Sequence, residues 1–323
     1  THPGLGVNIY IIDTGILPTH VDFGGRVVLD YDYWGGFPAN YNGHGTHVAG
    51  IAGGYLYGVA NEATLHSVRV LDYYGKGNSS SVIGGINWVI ANHTHPAVIN
   101  MSLGGGASQA IDDAVNAAIA HGITVVVSAG NNNANACKYS PARVPKAITV
   151  GATSRTDARA SFSNYGTCLD LFAPGVHILS DFNASNYSTA YGDGTSMASP
   201  FVAGAAALYL SIHPDASPSD VATALLAKTT RNRLTNLNES PNRLLFSPAK
   251  IPAQVIAVTP VSSALVGSRT LVFEWQSLPE VSTYILQVVN DSNFSSLVVE
   301  LTDLTGTSTY TTLDNDGKFY WRI

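Results

Sequence analysis

The chain has 323 residues, of which 45% are hydrophobic and 12% charged, with 31 glycines and a net charge of −6. This composition is typical of globular proteins rich in tight turns and argues against a disordered chain. The acidic balance, without any cluster of Lys or Arg, argues against a nucleic-acid partner. Because no run of about 18 apolar residues occurs, we expect no membrane span.

A short β-branched and aromatic run at 7–12 predicts a buried strand, and Asp13 follows it directly. Open α/β sheets place their ligand-binding groups at the carboxyl ends of such strands. Asp13 is therefore a candidate functional residue, although an aspartate of an ordinary turn would also fit.

The segment 42–53 predicts a helix that opens with His44, and His47 lies on the same helical face. The two histidines suggest a metal site. We reject it, because the glutamate of an H-E-x-x-H zinc helix is missing and no third ligand is evident.

From Ala63 onward, strands and helices alternate, which indicates right-handed βαβ units and a parallel sheet covered on both faces. The predicted strands are 64–71, 97–101, 123–128 and 146–153, and the predicted helices are 79–92 and 109–121. The loop after the strand at 97–101 contains three consecutive glycines. Their bare backbone suits pairing with another chain, or forms a flexible loop.

A nearly all-apolar helix is predicted after Gly-Thr-Ser-Met-Ala-Ser-Pro at 194–200. Because proline is tolerated only in the first helical turn, the helix must begin near Ser196. Ser196 is then either a simple N-cap or a group placed where the helix dipole favours negative charge.

The carboxy-terminal part has a different pattern. The segment 247–254 reads as a linker, and 255–323 contains alternating strands with no predicted helix between them, which indicates a β-sandwich module. The last residues are strand-like, and no signal-peptide pattern precedes the first strand. We therefore expect the natural protein, and this module, to extend beyond the printed ends.

The order Asp13, His44, Ser196 suits nucleophilic acyl transfer, in which a carboxylate orients an imidazole that activates a hydroxyl. The motifs around these residues resemble the three active-site signatures of the subtilisin-like serine proteases. The resemblance covers 1–246 and is most similar to the proteinase K and aqualysin branch. It implies a three-layer α/β sandwich with a central, mostly parallel sheet.

The resemblance also implies roles for single residues. Asp13 orients His44, which acts as general base and then acid for attack by Ser196, and Asn131 and the Ser196 amide form the oxyanion hole. The residues that match substrate-binding segments are Ser102, Leu103, Gly104, Ala129 and Gly130. A glycine-lined pocket implies broad cleavage after apolar or aromatic residues. Ser79 replaces a tyrosine of many relatives at the outer substrate-binding edge.

Cys137 and Cys168 could be free buried thiols or a bridged pair. Their match to a disulfide of aqualysin-like relatives implies the bridge and an extracellular protein. Relatives also bind structural calcium. Here His177 stands where a carboxylate is expected beside the carbonyls of Pro145 and Ala147, so we expect that calcium site to be lost.

The sequence thus predicts a secreted, monomeric serine endopeptidase that acts on polypeptides and needs no cofactor for its chemistry. A propeptide or an inhibitor is a further expected partner. If structural calcium is bound, we expect it at a site other than the one next to His177. The carboxy-terminal module resembles a fibronectin type III-like domain. The alternative is a catalytically silent binding or scaffold protein on the same fold, against which the presence of Asp13, His44, Asn131 and Ser196 argues.

Overall fold

The structure, a computed structural model, describes residues 3–35, 42–246, 257–260, 269–276, 284–291 and 297–323. The chain forms two compact units, Thr1–Ala249 and Lys250–Ile323. The predicted linker at 247–254 lies outside the described residues.

The larger unit alternates strands and helices along most of its length. Its helices are α1 (His44–Gly53), α2 (Ser79–Asn92), α3 (Gln109–Ala120), α4 (Thr195–Ile212) and α5 (Pro218–Lys228). Its strands are β1 (Asn8–Asp13), β2 (Val27–Asp32), β3 (Thr64–Arg69), β4 (Ala97–Met101), β5 (Gly105–Gly106), β6 (Thr124–Ser128), β7 (Tyr139–Ser140), β8 (Ile148–Thr153), β9 (Leu171–Pro174), β10 (Ile178–Asp181), β11 (Thr189–Gly192), β12 (Thr230–Arg231) and β13 (Arg243–Leu244).

Among the described residues, nine strands form one sheet in the order β12-β13-β9-β8-β6-β4-β1-β3-β2. Its neighbouring strands are parallel except for β12 and β13. Helices α1, α4 and α5 share one hydrophobic core with the sheet, and α2 and α3 contribute to a second. The predicted α/β class with a mostly parallel sheet is confirmed.

Helix α4 begins at Thr195, one residue before the predicted start, with Pro200 inside its second turn. Small buried residues such as Ala203, Ala206 and Ala207 let it lie close to the sheet. Within the described part of the chain, α4 has the length and hydropathy of a membrane-crossing helix, but 67% of that window is buried inside the protein. A helix buried to this extent is typical of the core of a globular domain.

The smaller unit contains β14 (Ala257–Thr259), β15 (Thr270–Trp275), β16 (Tyr284–Val289), β17 (Leu297–Leu304), β18 (Ser308–Thr312) and β19 (Tyr320–Arg322). Two three-stranded sheets, β14-β15-β18 and β17-β16-β19, enclose a core that includes Phe273, Trp275 and Leu286. The likeness of this module to a fibronectin type III domain stays a prediction.

Candidate active site

The aspartate at the carboxyl end of β1 forms a pair with the histidine that begins α1. Asp13 is the last residue of β1 and is fully buried, and its Oδ1 lies 2.8 Å from Nδ1 of His44, the first residue of α1. A carboxylate can only accept here, so Nδ1 carries the proton and Nε2 has the free lone pair. Thr14 N donates to the same Oδ1 at 2.7 Å. The imidazole is therefore held in the tautomer that can act as a base at Nε2.

The surroundings of His44 act on its pKa in opposite directions. Burial lowers the pKa, whereas the charge of Asp13 and the hydrogen bond to it raise the pKa, and together they bring it above its ordinary value of 6.5. The imidazolium form is thereby stabilised, as a base that must hold a proton during a reaction requires.

Ser196 lies in the first turn of α4, where the leading amides of the helix have no helical acceptor. Its Oγ donates to the carbonyl oxygen of Ser102 at 3.1 Å, and no hydrogen bond joins it to His44 in this structure. The first turns of α1 and α4 are nevertheless adjacent, because a Cβ built on Gly192 would lie 3.1 Å from both His47 Cε1 and Met197 Sδ.

A chain of polar contacts that the sequence did not predict fixes the start of α4 to the end of β4. Ser199 Oγ donates to Asn100 Oδ1 at 2.7 Å, and Asn100 Nδ2 donates to Ser102 Oγ at 3.0 Å. Ser102 Oγ in turn donates to the carbonyl oxygen of Ser196 at 2.8 Å. Asn100 is the one signal for this network in the sequence, since it is a polar residue inside an otherwise apolar strand.

Asn131 faces the same helix start. Its Oδ1 accepts from both N and Oγ1 of Thr195, each at 2.9 Å, so its Nδ2 is oriented as a donor. A Cβ built on Gly194 would lie 3.3 Å from this Nδ2 and 3.5 Å from Ser196 N. The two donors therefore converge on one small volume beside Ser196, as a site for an oxyanion requires.

A cavity of about 400 Å³ opens next to Ser196. Its lining includes Leu103, Gly104, Ala129 and Gly130. Four of the five residues predicted to bind substrate thus line it, whereas Ser102 binds Ser196. The complete lining is Leu103, Gly104, Gly105, Gly106, Ser128, Ala129, Gly130, Asn131, Asn132, Tyr139, Ser140, Ala142, Thr195 and Ser196, of which none is charged.

Two features hold the walls of this cavity. Buried Asn164 donates to the Ala129 carbonyl oxygen at 2.8 Å and accepts from Asn132 N at 3.0 Å. A disulfide joins Cys137 and Cys168, as the resemblance implies, and anchors the segment just before β7. The cavity is thereby preformed.

His47, which the sequence paired with His44 as a rejected metal site, has a packing role. Its Nε2 lies 3.2 Å from the carbonyl oxygen of Ile178 and 3.0 Å from that of Ala190. Ser180 Oγ donates to the His47 carbonyl oxygen at 2.9 Å. The β10–β11 hairpin is therefore fastened to α1, the helix that positions His44.

The same hairpin brings Asp181 against Asp22, and both carboxyl groups are buried. A Cβ built on Gly54 would lie 2.3 Å from Asp22 Oδ2 and 3.1 Å from Asp181 Oδ2, so the two groups share one small space. Burial, and then the charge of Asp22, raise the pKa of Asp181 to about 10. At neutral pH the pair therefore holds a proton.

We expect Asp181→Asn to stabilise the protein, and more so as the pH rises. The folded state keeps the Asp181 proton up to about pH 10, whereas an unfolded chain releases it near its ordinary pKa of 3.8. The folded state binds more protons between these values, so stability falls as pH increases, and a neutral amide removes that dependence.

The measurement is calorimetric Tm from pH 5 to pH 9. Since 1 kcal/mol corresponds to about 2–4 °C for a chain of this size, the gain of Asp181→Asn should be several degrees larger at the alkaline end. Asp215→Asn, on the exposed surface, is the control. An equal gain at every pH, or none, would contradict the shared proton.

The binding of structural calcium stays a prediction. The ring of His177 stacks on Tyr191, with centroids 3.9 Å apart and planes at 5°. An imidazole in this contact is a poor ligand for a cation that prefers oxygen, so the residues present do not fit the calcium site of relatives at this position. Within the described ranges, no three His, Cys, Asp or Glu side chains are grouped to hold a metal ion.

A parallel α/β sheet with an aspartate, a histidine and a helix-start serine at its carboxyl edge defines the subtilisin-like class of fold. A family model described as the subtilase family matches residues 4–244, and the chain belongs to that family. A crystal structure of a cold adapted subtilisin-like serine proteinase aligns with a TM-score of 0.75 and 46% identity, covering 77% of this chain and 91% of that chain.

Two curated relatives are similar over the same region. The extracellular serine proteinase of Thermus sp. (strain Rt41A) is 59% identical over 251 residues, 77% of this chain and 61% of the relative. Alkaline serine exoprotease A of Vibrio alginolyticus is 50% identical over 246 residues, 76% of this chain and 46% of the relative. The chain thus matches about half to three fifths of the length of these relatives.

Proposed function

We propose that this chain is a serine endopeptidase that hydrolyses peptide bonds through an acyl-enzyme. The observation that carries the proposal is the 2.8 Å contact between Asp13 and His44, at the same edge of the sheet as Ser196 in the first turn of α4. A buried carboxylate that fixes an imidazole tautomer beside a helix-start hydroxyl is the arrangement that activates a serine.

In the first step, the Ser196 hydroxyl turns from the Ser102 carbonyl toward His44, and its oxygen attacks the carbonyl carbon of the substrate. His44 Nε2 takes the hydroxyl proton and returns it to the leaving amine nitrogen as the C–N bond breaks. In the second step, water attacks the ester, with His44 again as base, and releases the acid and Ser196. Hydrogen bonds of a free catalytic site are often absent until substrate binds.

The negative charge that develops on the substrate carbonyl oxygen is stabilised by Asn131 Nδ2 and the Ser196 amide. The contacts of Asn131 with Thr195 support this role, because they orient the amide before substrate arrives. Such preorganised donors contribute about 3–4 kcal/mol each to transition-state binding, a magnitude taken from subtilisin itself.

The preferred residue before the cut is apolar or aromatic. The cavity beside Ser196 is lined by uncharged groups, among them the three consecutive glycines Gly104, Gly105 and Gly106. An uncharged cavity accepts a ring or a branched aliphatic side chain, whereas a charged side chain would lose its hydration there without gaining a partner.

Introducing one charge into this cavity should change its preference. A Cβ at Gly105 would meet no atom within 4 Å, so Gly105→Asp fits without strain. One carboxylate near a bound ammonium is worth about 1 kcal/mol, so we expect the kcat/KM ratio of Lys over Phe substrates to rise about fivefold. The measurement uses matched chromogenic peptides, and Gly105→Asn is the neutral control. An equal change in both variants would contradict the assigned pocket.

The proposal as a whole is tested with a fluorophosphonate probe and a peptide library. We expect one adduct, on Ser196, in the folded protein, together with cleavage after apolar and aromatic residues. A folded protein that forms no adduct and cleaves no peptide would instead be the silent scaffold.

We propose further that the protein is secreted and monomeric, and that its partners are polypeptide substrates and a propeptide or an inhibitor. The Thermus relative is named an extracellular serine proteinase, and this similarity and the Cys137–Cys168 disulfide support secretion. A structural calcium ion away from His177 remains part of this proposal.

A further inference from the structure

Two histidines lie close together on the turn between α2 and β4. His93 is the C-cap residue directly after α2, and His95 comes just before Pro96 and the start of β4. Their Nε2 atoms are 3.0 Å apart, the rings are at 80°, and the centroids are 4.5 Å apart. The contact between the two Nε2 atoms is a hydrogen bond, in which one nitrogen donates a proton and the other accepts it.

The tautomer of His93 is fixed by its other ring nitrogen. Nδ1 lies 3.1 Å from the carbonyl oxygens of both Val89 and Ile90, at the end of α2. Carbonyl oxygens only accept, so Nδ1 carries the proton and Nε2 is the unprotonated, electron-donating atom. A histidine whose second nitrogen donates to a backbone carbonyl is oriented as metal ligands in proteins are.

The turn is held before any ligand binds. Between the histidines, Thr94 N donates to the Tyr10 hydroxyl at 3.0 Å, and Asn8 Nδ2 donates to the Thr94 carbonyl oxygen at 3.0 Å. A Cβ at Gly122 would lie 3.1 Å from His95 Cε1, so Gly122 packs directly against that ring. The backbone between the two histidines is thereby held against β1, and the His95 ring packs against the turn after α3, which lowers the cost of ordering the site on binding.

We propose that His93 and His95 form a binding site for a divalent transition-metal ion, with copper(II) preferred. At metal–nitrogen distances of about 2.0–2.1 Å, atoms 3.0 Å apart subtend about 91–97°. That angle suits neighbouring positions of a square or tetragonal site, which is the geometry of copper(II) and nickel(II), and is too small for tetrahedral zinc. The metal replaces the proton shared by the two Nε2 atoms, and water fills its remaining positions.

This site is separate from the proposed catalytic one. Asn8 and Asp13 are the two ends of β1, about 16 Å apart along the strand. Copper bound at the turn would connect the end of α2 to the start of β4 and raise the stability of the folded chain in proportion to the logarithm of its concentration. The inference does not depend on the proposed hydrolytic function.

The test compares copper(II) binding by four forms of the whole chain, all in a His2→Gln background to remove the histidine next to the amino terminus in the sequence, a further possible copper ligand. The variants are His93→Gln, His95→Gln and His121→Gln. His121 is the matched control, because it also ends a helix and its Nδ1 also contacts a backbone carbonyl, that of Ala117, at 2.8 Å. Binding is measured by titration calorimetry and electron paramagnetic resonance.

We expect the parent and His121→Gln to bind one copper(II) with equal affinity and a spectrum showing two nitrogen ligands. Each of the other variants should lose about tenfold or more in affinity, since even indirect ligand contacts cost that much. His95 is exposed, so His95→Gln is expected to fold normally. Equal affinity in all four forms, or an equal loss in His121→Gln and His95→Gln, would overturn the proposal.

Discussion

Replacing Ser196 with alanine is expected to lower kcat by about a million-fold, the loss measured when the nucleophile of subtilisin itself is removed. The hydroxyl is the only group of the proposed mechanism that forms a bond to substrate. Its loss removes the acyl-enzyme route, while the oxyanion donors and the cavity remain. The measurements are the single-turnover rate on an apolar peptide and the mass of the protein after fluorophosphonate treatment.

Ser211→Ala is the matched control, because Ser211 lies on the same helix and its hydroxyl donates only to the Leu208 carbonyl oxygen, at 2.8 Å. We expect this variant to keep its activity and its adduct. If Ser196→Ala retained the activity of the parent, another nucleophile would be at work and the proposed function would be wrong.

Asp13→Asn is expected to lower kcat by about ten-thousand-fold, the loss found when the aspartate of a known Ser-His-Asp triad is changed to asparagine. The amide is the same size as the carboxylate, but its NH₂ group can donate to His44 and so favour the tautomer with the proton on Nε2. That tautomer cannot accept the Ser196 proton. The charge of Asp13 also raises the pKa of His44, so the acid limb of kcat/KM should move to lower pH in the variant.

Asp30→Asn is a matched control for this experiment. Asp30 Oδ2 lies 2.6 Å from His66 Nδ1, so it makes the same type of contact away from Ser196. We expect full activity and an unchanged acid limb in this control. If both variants lost activity alike, the effect would come from general destabilisation, and Asp13 would have no orienting role.

Much of the fold could be predicted from the sequence because local patterns agree with it. The helix at 79–92 and the strand at 97–101 have the predicted bounds. The first strand is shifted by one residue, so Asp13 ends β1 instead of following it. Strands β10 and β11 were not predicted, because each has only four residues and these carry no clear period.

The chemical types of the candidate site residues, their order and the start of α4 follow from the sequence by itself, because glycines, a proline and charged or polar residues at strand and helix ends are local signals. The tertiary structure alone decided what these residues contact. In the tertiary structure, Asp13 contacts His44, Ser196 donates to Ser102, and Ser199 donates to Asn100.

The tertiary structure also places the carboxyl groups of Asp22 and Asp181 close together, and the rings of His93 and His95 in contact. Such contacts depend on how distant segments pack and on the direction of each side chain, and neither is encoded in the spacing of residues along the chain.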